Sequence, residues 1–190
     1  MALERQLVSL EEFLDFVAQP ENADRLFEFI DGRIVEKGEL IHGEIAEKMP
    51  GRASNSAIHT WIAFFVRLFC REHQLACFIT TADGAFNVLG RVYAPDFAYT
   101  TTPFTGEYPE PVAPLWVVEV ISPNDQPLDI RAKRQVYLQA GILYWELYPE
   151  DRSVDVYAAG LPMRTFRAGD AIDVGDLIPG FKLSLSELFE

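Results

Sequence analysis

The sequence has no apolar run long enough to cross a membrane. Its longest apolar stretches, such as Trp61–Val66 and Leu115–Val118, span only a few residues, whereas a membrane-spanning helix needs about 20 apolar residues. The first residues of the chain also lack the apolar segment of a secretion signal. We therefore expect neither a membrane protein nor a secreted one.

Cysteine and positive charge are both scarce. The two cysteines, Cys70 and Cys77, do not occur in the Cys and His spacings typical of zinc sites, so we expect buried thiols in a cytoplasmic protein. The chain has 16 Lys and Arg residues against 29 Asp and Glu residues, which gives a net charge of −13. This charge opposes non-specific attraction to nucleic acids and to anionic membranes.

The rest of the composition is that of an ordinary globular protein. Hydrophobic residues make up 49% of the chain and charged residues 24%. No repeat, linker or low-complexity segment interrupts it. Since domains average roughly 150 residues, we expect a single domain over residues 1–190.

Hydrophobic periodicity predicts both helices and strands. The predicted helices are one that begins at the capping box Ser9–Glu12 and ends before Pro20, a long one ending near Glu72, and one over Leu128–Ala140. The predicted strands are Leu26–Ile30, Arg33–Glu36, Cys77–Thr81, Ala85–Leu89, Val92–Tyr99, Leu115–Ser122, Ile142–Tyr148, Ser153–Ala158 and one near Arg164–Phe166, with a closing piece at Phe181–Phe189. Residues 40–54 are expected as a loop or short helix, and residues 101–114 as a surface loop. The expected fold class is α/β (α+β), with a mixed central β-sheet flanked by helices.

Glu119 interrupts the most apolar of the predicted strands. The pattern of Leu115–Ser122 otherwise indicates a strand that is buried on both faces. An unpaired carboxylate in that position would be costly, so Glu119 must be paired, protonated or bound to a metal. Either a structural salt bridge or a functional site would satisfy this requirement.

Asp96 follows Pro95, which cannot donate to a strand ladder and therefore fixes the chain at an edge or a bulge. Turn chemistry alone would explain an Asp in this place. A hairpin-like return through the proline-rich loop would, however, bring Asp96 beside Glu119. Two hard oxygen ligands of this kind suit Mg²⁺ or Mn²⁺.

Lys133 is predicted on the packing face of its helix. The i+3 and i+4 spacings place it in line with Ile130, Tyr137 and Ala140. The lysine therefore either reaches the carboxylates or snorkels to the rim of the helix.

Four further polar residues are weaker candidates. Glu28 alternates with aromatic residues, a pattern that also fits a solvent-exposed side chain. His42 and His59 stand alone near helix starts and are expected as caps or surface residues rather than as metal ligands. Glu146 is a second acidic residue within an apolar strand, and we expect it to pair with Lys133 or with an arginine.

Taken together, an Asp, a Glu within an apolar strand and a downstream lysine resemble the PD-(D/E)XK nuclease superfamily, which has the restriction-endonuclease-like fold. More narrowly, the chain resembles the Uma-type endonuclease family over nearly its whole length. The matching segments are Phe27–Val35, Ala94–Ala98, Val117–Pro123, Asp129–Lys133 with Tyr137, Gly141–Trp145 and Pro179–Leu183. Their order and spacing carry the resemblance, more than any single segment.

The resemblance implies an endonuclease that hydrolyses DNA with Mg²⁺ or Mn²⁺. It implies Asp96 and Glu119 as metal-binding carboxylates, with a main-chain carbonyl near Val120 as a further ligand. Glu28 would complete the acidic cluster, by binding the metal or by anchoring the lysine. Lys133 would be the catalytic lysine, orienting the attacking water or stabilising the transition state.

One position departs from the superfamily pattern. Two residues after Glu119 the superfamily has a lysine, whereas this chain has Ile121. The resemblance implies that the lysine has moved to the helix, where Lys133 is the suitable candidate. The acidic chain has one local basic run, at Arg131–Arg134, and a possible second strip of arginines at positions 52, 67 and 71, which a homodimer would join into one groove.

Three functions remain open at this point. The first is a metal-dependent DNA endonuclease. The second is a non-catalytic interaction or regulatory protein that retains the nuclease fold, and the net acidity favours it. The third is a metal-dependent enzyme acting on a smaller phosphate ester. Metal binding at the carboxylates would distinguish the first from the second, and cleavage of a polynucleotide would distinguish the first from the third.

Overall fold

The computed structural model describes residues 7–23, 25–36, 40–41, 44–45, 53–123 and 125–190. Its α-helices are α1 (Leu10–Val17), α2 (Ala53–Glu72), α3 (Pro127–Gln139) and α4 (Leu185–Leu188), and short 3-10 helices lie at Pro20–Asn22 and Gly175–Leu177. Helix α1 begins at the predicted capping box, in which the Glu12 N–H donates to Ser9 Oγ and the Ser9 N–H donates to Glu12 Oε2. No helix among the described residues combines the length and the apolarity needed to cross a membrane.

A six-stranded sheet forms the centre of the molecule. Its strands, in spatial order, are β12 (Arg164–Arg167), β11 (Ser153–Tyr157), β10 (Leu143–Tyr148), β9 (Trp116–Val120), β8 (Phe97–Thr100) and β5 (Phe78–Thr81). Strands β9 and β10 are parallel, with α3 as the crossover between them, and the other neighbours are antiparallel. This arrangement confirms the predicted mixed central sheet flanked by helices.

A second, antiparallel sheet lies beside it. Its strands, in spatial order, are β2 (Arg33–Glu36), β1 (Phe27–Ile30), β7 (Arg91–Tyr93) and β6 (Phe86–Val88). The prediction of one strand over Val92–Tyr99 is wrong, because β7 belongs to this sheet and β8 to the large one. Pro95 lies in the link between them. Since Pro95 has no N–H for a ladder, pairing stops there and the chain passes from one sheet to the other.

Two short ladders complete the described structure. Strand β3 (Leu40–Ile41) pairs with β4 (Glu44–Ile45), and β13 (Ala171–Asp173) pairs with β14 (Lys182–Ser184). The sequence analysis missed β13, and it expected a loop or short helix where β3, β4 and the start of α2 lie. Strands of two or three residues are too short to show a periodic pattern. The predicted closing piece is β14 followed directly by α4.

The two faces of the large sheet pack against different helices. Val118 of β9 belongs to the same buried apolar cluster as Ile62 of α2, whereas Val117 belongs to the cluster that contains Tyr137 of α3. Because side chains alternate along a strand, Glu119 lies on the α3 face together with Val117. The unusual acidic residue of β9 is therefore directed towards the helix that carries Lys133.

Candidate functional site

Strand pairing brings four acidic residues into one row on the α3 face of the large sheet. Glu119 of β9 is paired with Glu146 of β10, and Glu146 is paired with Asp155 of β11. The register of β8 on β9 puts Asp96, the residue before β8, opposite Glu119. We call these four residues the acidic row. Like charges placed opposite each other destabilise a sheet, so the row needs cations from the helix that covers it.

Lys133 of α3 supplies one of these cations. Its Nζ lies 2.9 Å from Glu28 Oε1 and 3.7 Å from Glu119 Oε1, and its side chain is only 18% exposed. The ring of Tyr93 lies 5.7 Å from the same nitrogen, which places a polarisable face beside the charge. The sequence predicts that Lys133 either reaches the carboxylates or snorkels to the rim of its helix. In the structure it reaches the carboxylates.

The neighbouring carboxylates of Glu28 and Glu119 keep Lys133 protonated. Burial by itself lowers the pKa of the ammonium group, but the adjacent charges of Glu119 and Glu28 outweigh burial and raise the pKa above its usual value. Lys133 is therefore protonated at neutral pH. It can donate hydrogen bonds and stabilise negative charge, but it cannot accept a proton.

Glu28 reaches the site from β1, which belongs to the second, four-stranded sheet. It is 3% exposed, and its Oε1 accepts hydrogen bonds from Lys133 Nζ and, at 3.2 Å, from the main-chain N–H of Ala94. Ala94 lies in the link between the two sheets, two residues before Asp96. The contacts of Glu28 therefore join β1, α3 and this link at one point.

Asp96 and Glu119 are each held by a hydrogen-bond donor. The Val120 N–H donates to Asp96 Oδ2 at 2.8 Å, and the Tyr137 hydroxyl donates to Glu119 Oε1 at 3.3 Å. Burial and the charge of Glu119 raise the pKa of Tyr137 well above its usual value, so its hydroxyl remains a donor. The sequence analysis placed Tyr137 on the same helix face as Lys133 but did not predict this hydrogen bond.

The donor set fits a metal that is only partly coordinated by protein. Among the residues that the structure describes, no three His, Cys, Asp or Glu side chains are placed to hold a metal ion together. Asp96 and Glu119 nevertheless present two neighbouring carboxylates, and Mg²⁺ in proteins is commonly bound by one or two carboxylates, several waters and substrate phosphates. The pair therefore suits a magnesium ion shared with a phosphate substrate.

Arg134 supplies the second cation of the acidic row. Its Nε and Nη2 each lie 2.8 Å from one oxygen of Glu146, which is fully buried, and the Tyr148 hydroxyl donates to the same carboxylate at 2.8 Å. The guanidinium also stacks on Tyr157, 4.3 Å from the ring centroid. Of the two partners expected for Glu146, Lys133 or an arginine, the structure shows an arginine. This bidentate pair neutralises the buried Glu146 carboxylate beside the site.

The remaining candidates lie away from the acidic row or outside the described residues. His59 lies on α2, which packs on the opposite face of the sheet. Arg67, of the predicted arginine strip, is also on α2 and donates to the Cys77 carbonyl at 2.6 Å. His42 and Arg52 lie outside the part of the chain that the structure describes.

Comparison with known proteins gives a consistent result. A family model named Uma2 and described as "Putative restriction endonuclease" matches residues 36–186, a range that contains Asp96, Glu119 and Lys133 but begins after Glu28. Among solved structures, the fold is similar to the crystal structure of a putative nuclease belonging to DUF820 from Anabaena variabilis ATCC 29413. That similarity has a TM-score of 0.74 at 20% sequence identity and covers 96% of this chain and 97% of the other. No curated protein matches the chain. The expected nuclease-type fold is thus confirmed.

Proposed function

This chain belongs to the Uma2 family of putative restriction endonucleases, and we propose that it is a divalent-metal-dependent endonuclease that hydrolyses phosphodiester bonds of DNA. The observation that carries the proposal is the convergence of Asp96, Glu119 and Lys133 on the α3 face of the large sheet. Neighbouring carboxylates can hold a metal, and a protonated lysine can stabilise the charge of a phosphate under attack.

Asp96 and Glu119 would hold Mg²⁺ or Mn²⁺, with the Val120 carbonyl as a further ligand. When bound, the metal would lower the pKa of a water molecule and neutralise charge that develops on the phosphate. The chain orients both carboxylates in advance, since the Val120 N–H fixes Asp96 and the Tyr137 hydroxyl fixes Glu119. This preorganisation avoids the cost of ordering the groups during the reaction.

Lys133 would donate a hydrogen bond to a phosphate oxygen and stabilise the negative charge of the transition state. Its raised pKa argues against a role as general base. Two roles were expected for Glu28, and its contacts support the second one, the anchor. Its Oε1 already accepts hydrogen bonds from both Lys133 and Ala94, so we propose that Glu28 is a positioning residue for the lysine.

Two finer points complete the proposal. Among the described residues beside the site, Lys133 and Arg134 are already paired with carboxylates and Arg131 is exposed on α3, so we propose that a homodimer supplies the basic groups that hold DNA. Cys70 and Cys77 are buried free thiols, as expected, which agrees with a reducing cytoplasm.

The second candidate function, a non-catalytic interaction or regulatory protein, is favoured by the net charge of −13.

Asp96→Asn and Glu119→Gln test the proposed metal ligands, since each keeps the shape of the side chain and removes its charge. We expect each variant to bind Mn²⁺ at least about tenfold more weakly than the wild type in calorimetry, and to lose DNA cleavage. Asp155→Asn is the matched control, because Asp155 lies in the same acidic row but two strands from Glu119, where it accepts a hydrogen bond from Thr165 of the neighbouring strand. Unchanged Mn²⁺ affinity in Asp96→Asn and Glu119→Gln would refute this assignment.

A further inference from the structure

A pocket of about 370 Å³ lies beside the acidic row. One side is formed by the loop after β9 and the first turns of α3, and the other by the end of β10 and the turn that follows it. Ile121, which lines the pocket, comes directly after Val120, whose N–H holds Asp96. The pocket therefore begins two residues after Glu119, one of the proposed metal-binding carboxylates.

Both sides of the pocket carry apolar or aromatic groups. These are Pro123, Pro127 and Ile130 on one side and Tyr148 and Pro149 on the other. The Tyr148 hydroxyl donates a hydrogen bond to Glu146, and Tyr148 forms part of the pocket wall. A pocket of this size with apolar walls suits a small flat ligand, and nucleobases stack readily on aromatic side chains.

The charges around the pocket disfavour a phosphate. Three carboxylates line it, from Asp125, Glu150 and Asp151, together with the guanidinium groups of Arg131 and Arg134. Arg134 is already neutralised by Glu146, and Glu150 has a partner of its own. Asp125 and Asp151 still leave negative charge in excess of Arg131. Carboxylates repel a phosphate but accept hydrogen bonds from the N–H groups on the edge of a base. A neutral ring with such an edge is therefore the better occupant.

We propose that this pocket binds an unpaired base of the DNA next to the scissile phosphate, so that the substrate is single-stranded or locally unpaired DNA. The inference rests on the proposed function. Bases in a regular duplex are stacked and paired, and one can enter a protein pocket only when it is unpaired or flipped out. Base stacking also provides affinity without phosphate contacts, which suits a chain with a net charge of −13.

The test is DNA binding followed by fluorescence anisotropy in EDTA, with a labelled single strand and with the same strand in a duplex. We expect the single strand to bind at least about tenfold more tightly. Tyr148→Leu should weaken single-strand binding roughly 5- to 100-fold, because stacking on the ring is lost. Tyr148→Phe is the matched control. Both variants lose the hydroxyl bond to Glu146, but Phe keeps the ring and should bind like the wild type.

A second pair of variants does not depend on how well Tyr148→Leu folds. Arg131→Ala at the pocket rim should weaken single-strand binding more than Arg164→Ala, which removes the same charge from the exposed surface of β12. The inference would be overturned if the duplex bound as tightly as the single strand or more tightly. It would also be overturned if Tyr148→Leu bound the single strand as tightly as Tyr148→Phe and Arg131→Ala bound it as tightly as Arg164→Ala. Because the assay needs neither metal nor cleavage, its outcome is separate from that of the proposed function. If single-strand binding depends on the Tyr148 ring but the protein cleaves no DNA, the base-binding pocket is supported and the proposed nuclease function is refuted.

Discussion

Lys133→Ala is expected to lower the rate of DNA cleavage by about 100- to 1,000-fold, the usual cost of removing one preorganised donor from an active site. It is also expected to destabilise the fold by about 3–5 kcal/mol, because a buried carboxylate loses its cation. The Glu28 side chain is only 4% exposed and that of Glu119 10%, so bulk solvent screens the unpaired carboxylates only weakly. Cleavage assays and urea unfolding followed by circular dichroism measure the two effects.

Three further variants separate the roles of charge and position. Lys182→Ala removes an equal charge from the exposed surface of β14 and should change neither quantity. Glu28→Gln removes the negative charge of the anchor and leaves the lysine beside Glu119, so we expect a smaller loss of kcat with KM unchanged. Combined with Glu28→Gln, Lys133→Ala should cost less stability than it does alone, since fewer unpaired charges remain. A Lys133→Ala variant that cleaves DNA at the wild-type rate would place the chemistry elsewhere.

Arg134→Met is expected to cause a loss of similar size in the free energy of unfolding, about 3–5 kcal/mol. Glu146 is fully buried, and Arg134 binds both of its oxygens. Without the guanidinium, the carboxylate would lie uncompensated between Glu119 and Asp155, its neighbours in the acidic row. Urea unfolding measures this effect directly, and Arg131→Met on the exposed side of the same helix is the matched control.

The double variant Arg134→Met/Glu146→Leu tests the physical reason. Removing both partners of a buried ion pair is often nearly neutral, because the cost of desolvating the two charges disappears with them. We therefore expect the double variant to regain most of the stability lost in Arg134→Met. If the double variant is as unstable as Arg134→Met alone, the loss comes from packing around the arginine and not from an uncompensated charge.

Asp96, Glu119 and Lys133 could be found from the sequence because each conflicts with its local pattern. Glu119 is an acid in an otherwise apolar strand, Asp96 follows a proline that stops a ladder, and Lys133 lies on the packing face of a helix. Burying such groups without partners is costly, so each conflict indicates a partner brought in by the fold. The same reasoning identified Glu146 as a paired residue.

The partners themselves depend on long-range pairing, which local patterns do not specify. Glu119 and Glu146 are neighbours only because β9 and β10 are parallel and in that register. Glu28 meets Lys133 from a different sheet, 105 residues away along the chain. For the same reason, the sequence predicted a single strand across Pro95, where the structure has two strands that belong to separate sheets.

The proposed function requires this chain to cleave DNA with a divalent metal held at Asp96 and Glu119. The most direct measurement incubates the purified wild-type chain with supercoiled plasmid in Mg²⁺ or Mn²⁺ and follows the nicked form on a gel. We predict nicking that stops when EDTA is added and that is absent from the Asp96→Asn variant. No cleavage of plasmid or of single-stranded DNA in either metal would contradict it and favour the non-catalytic function instead.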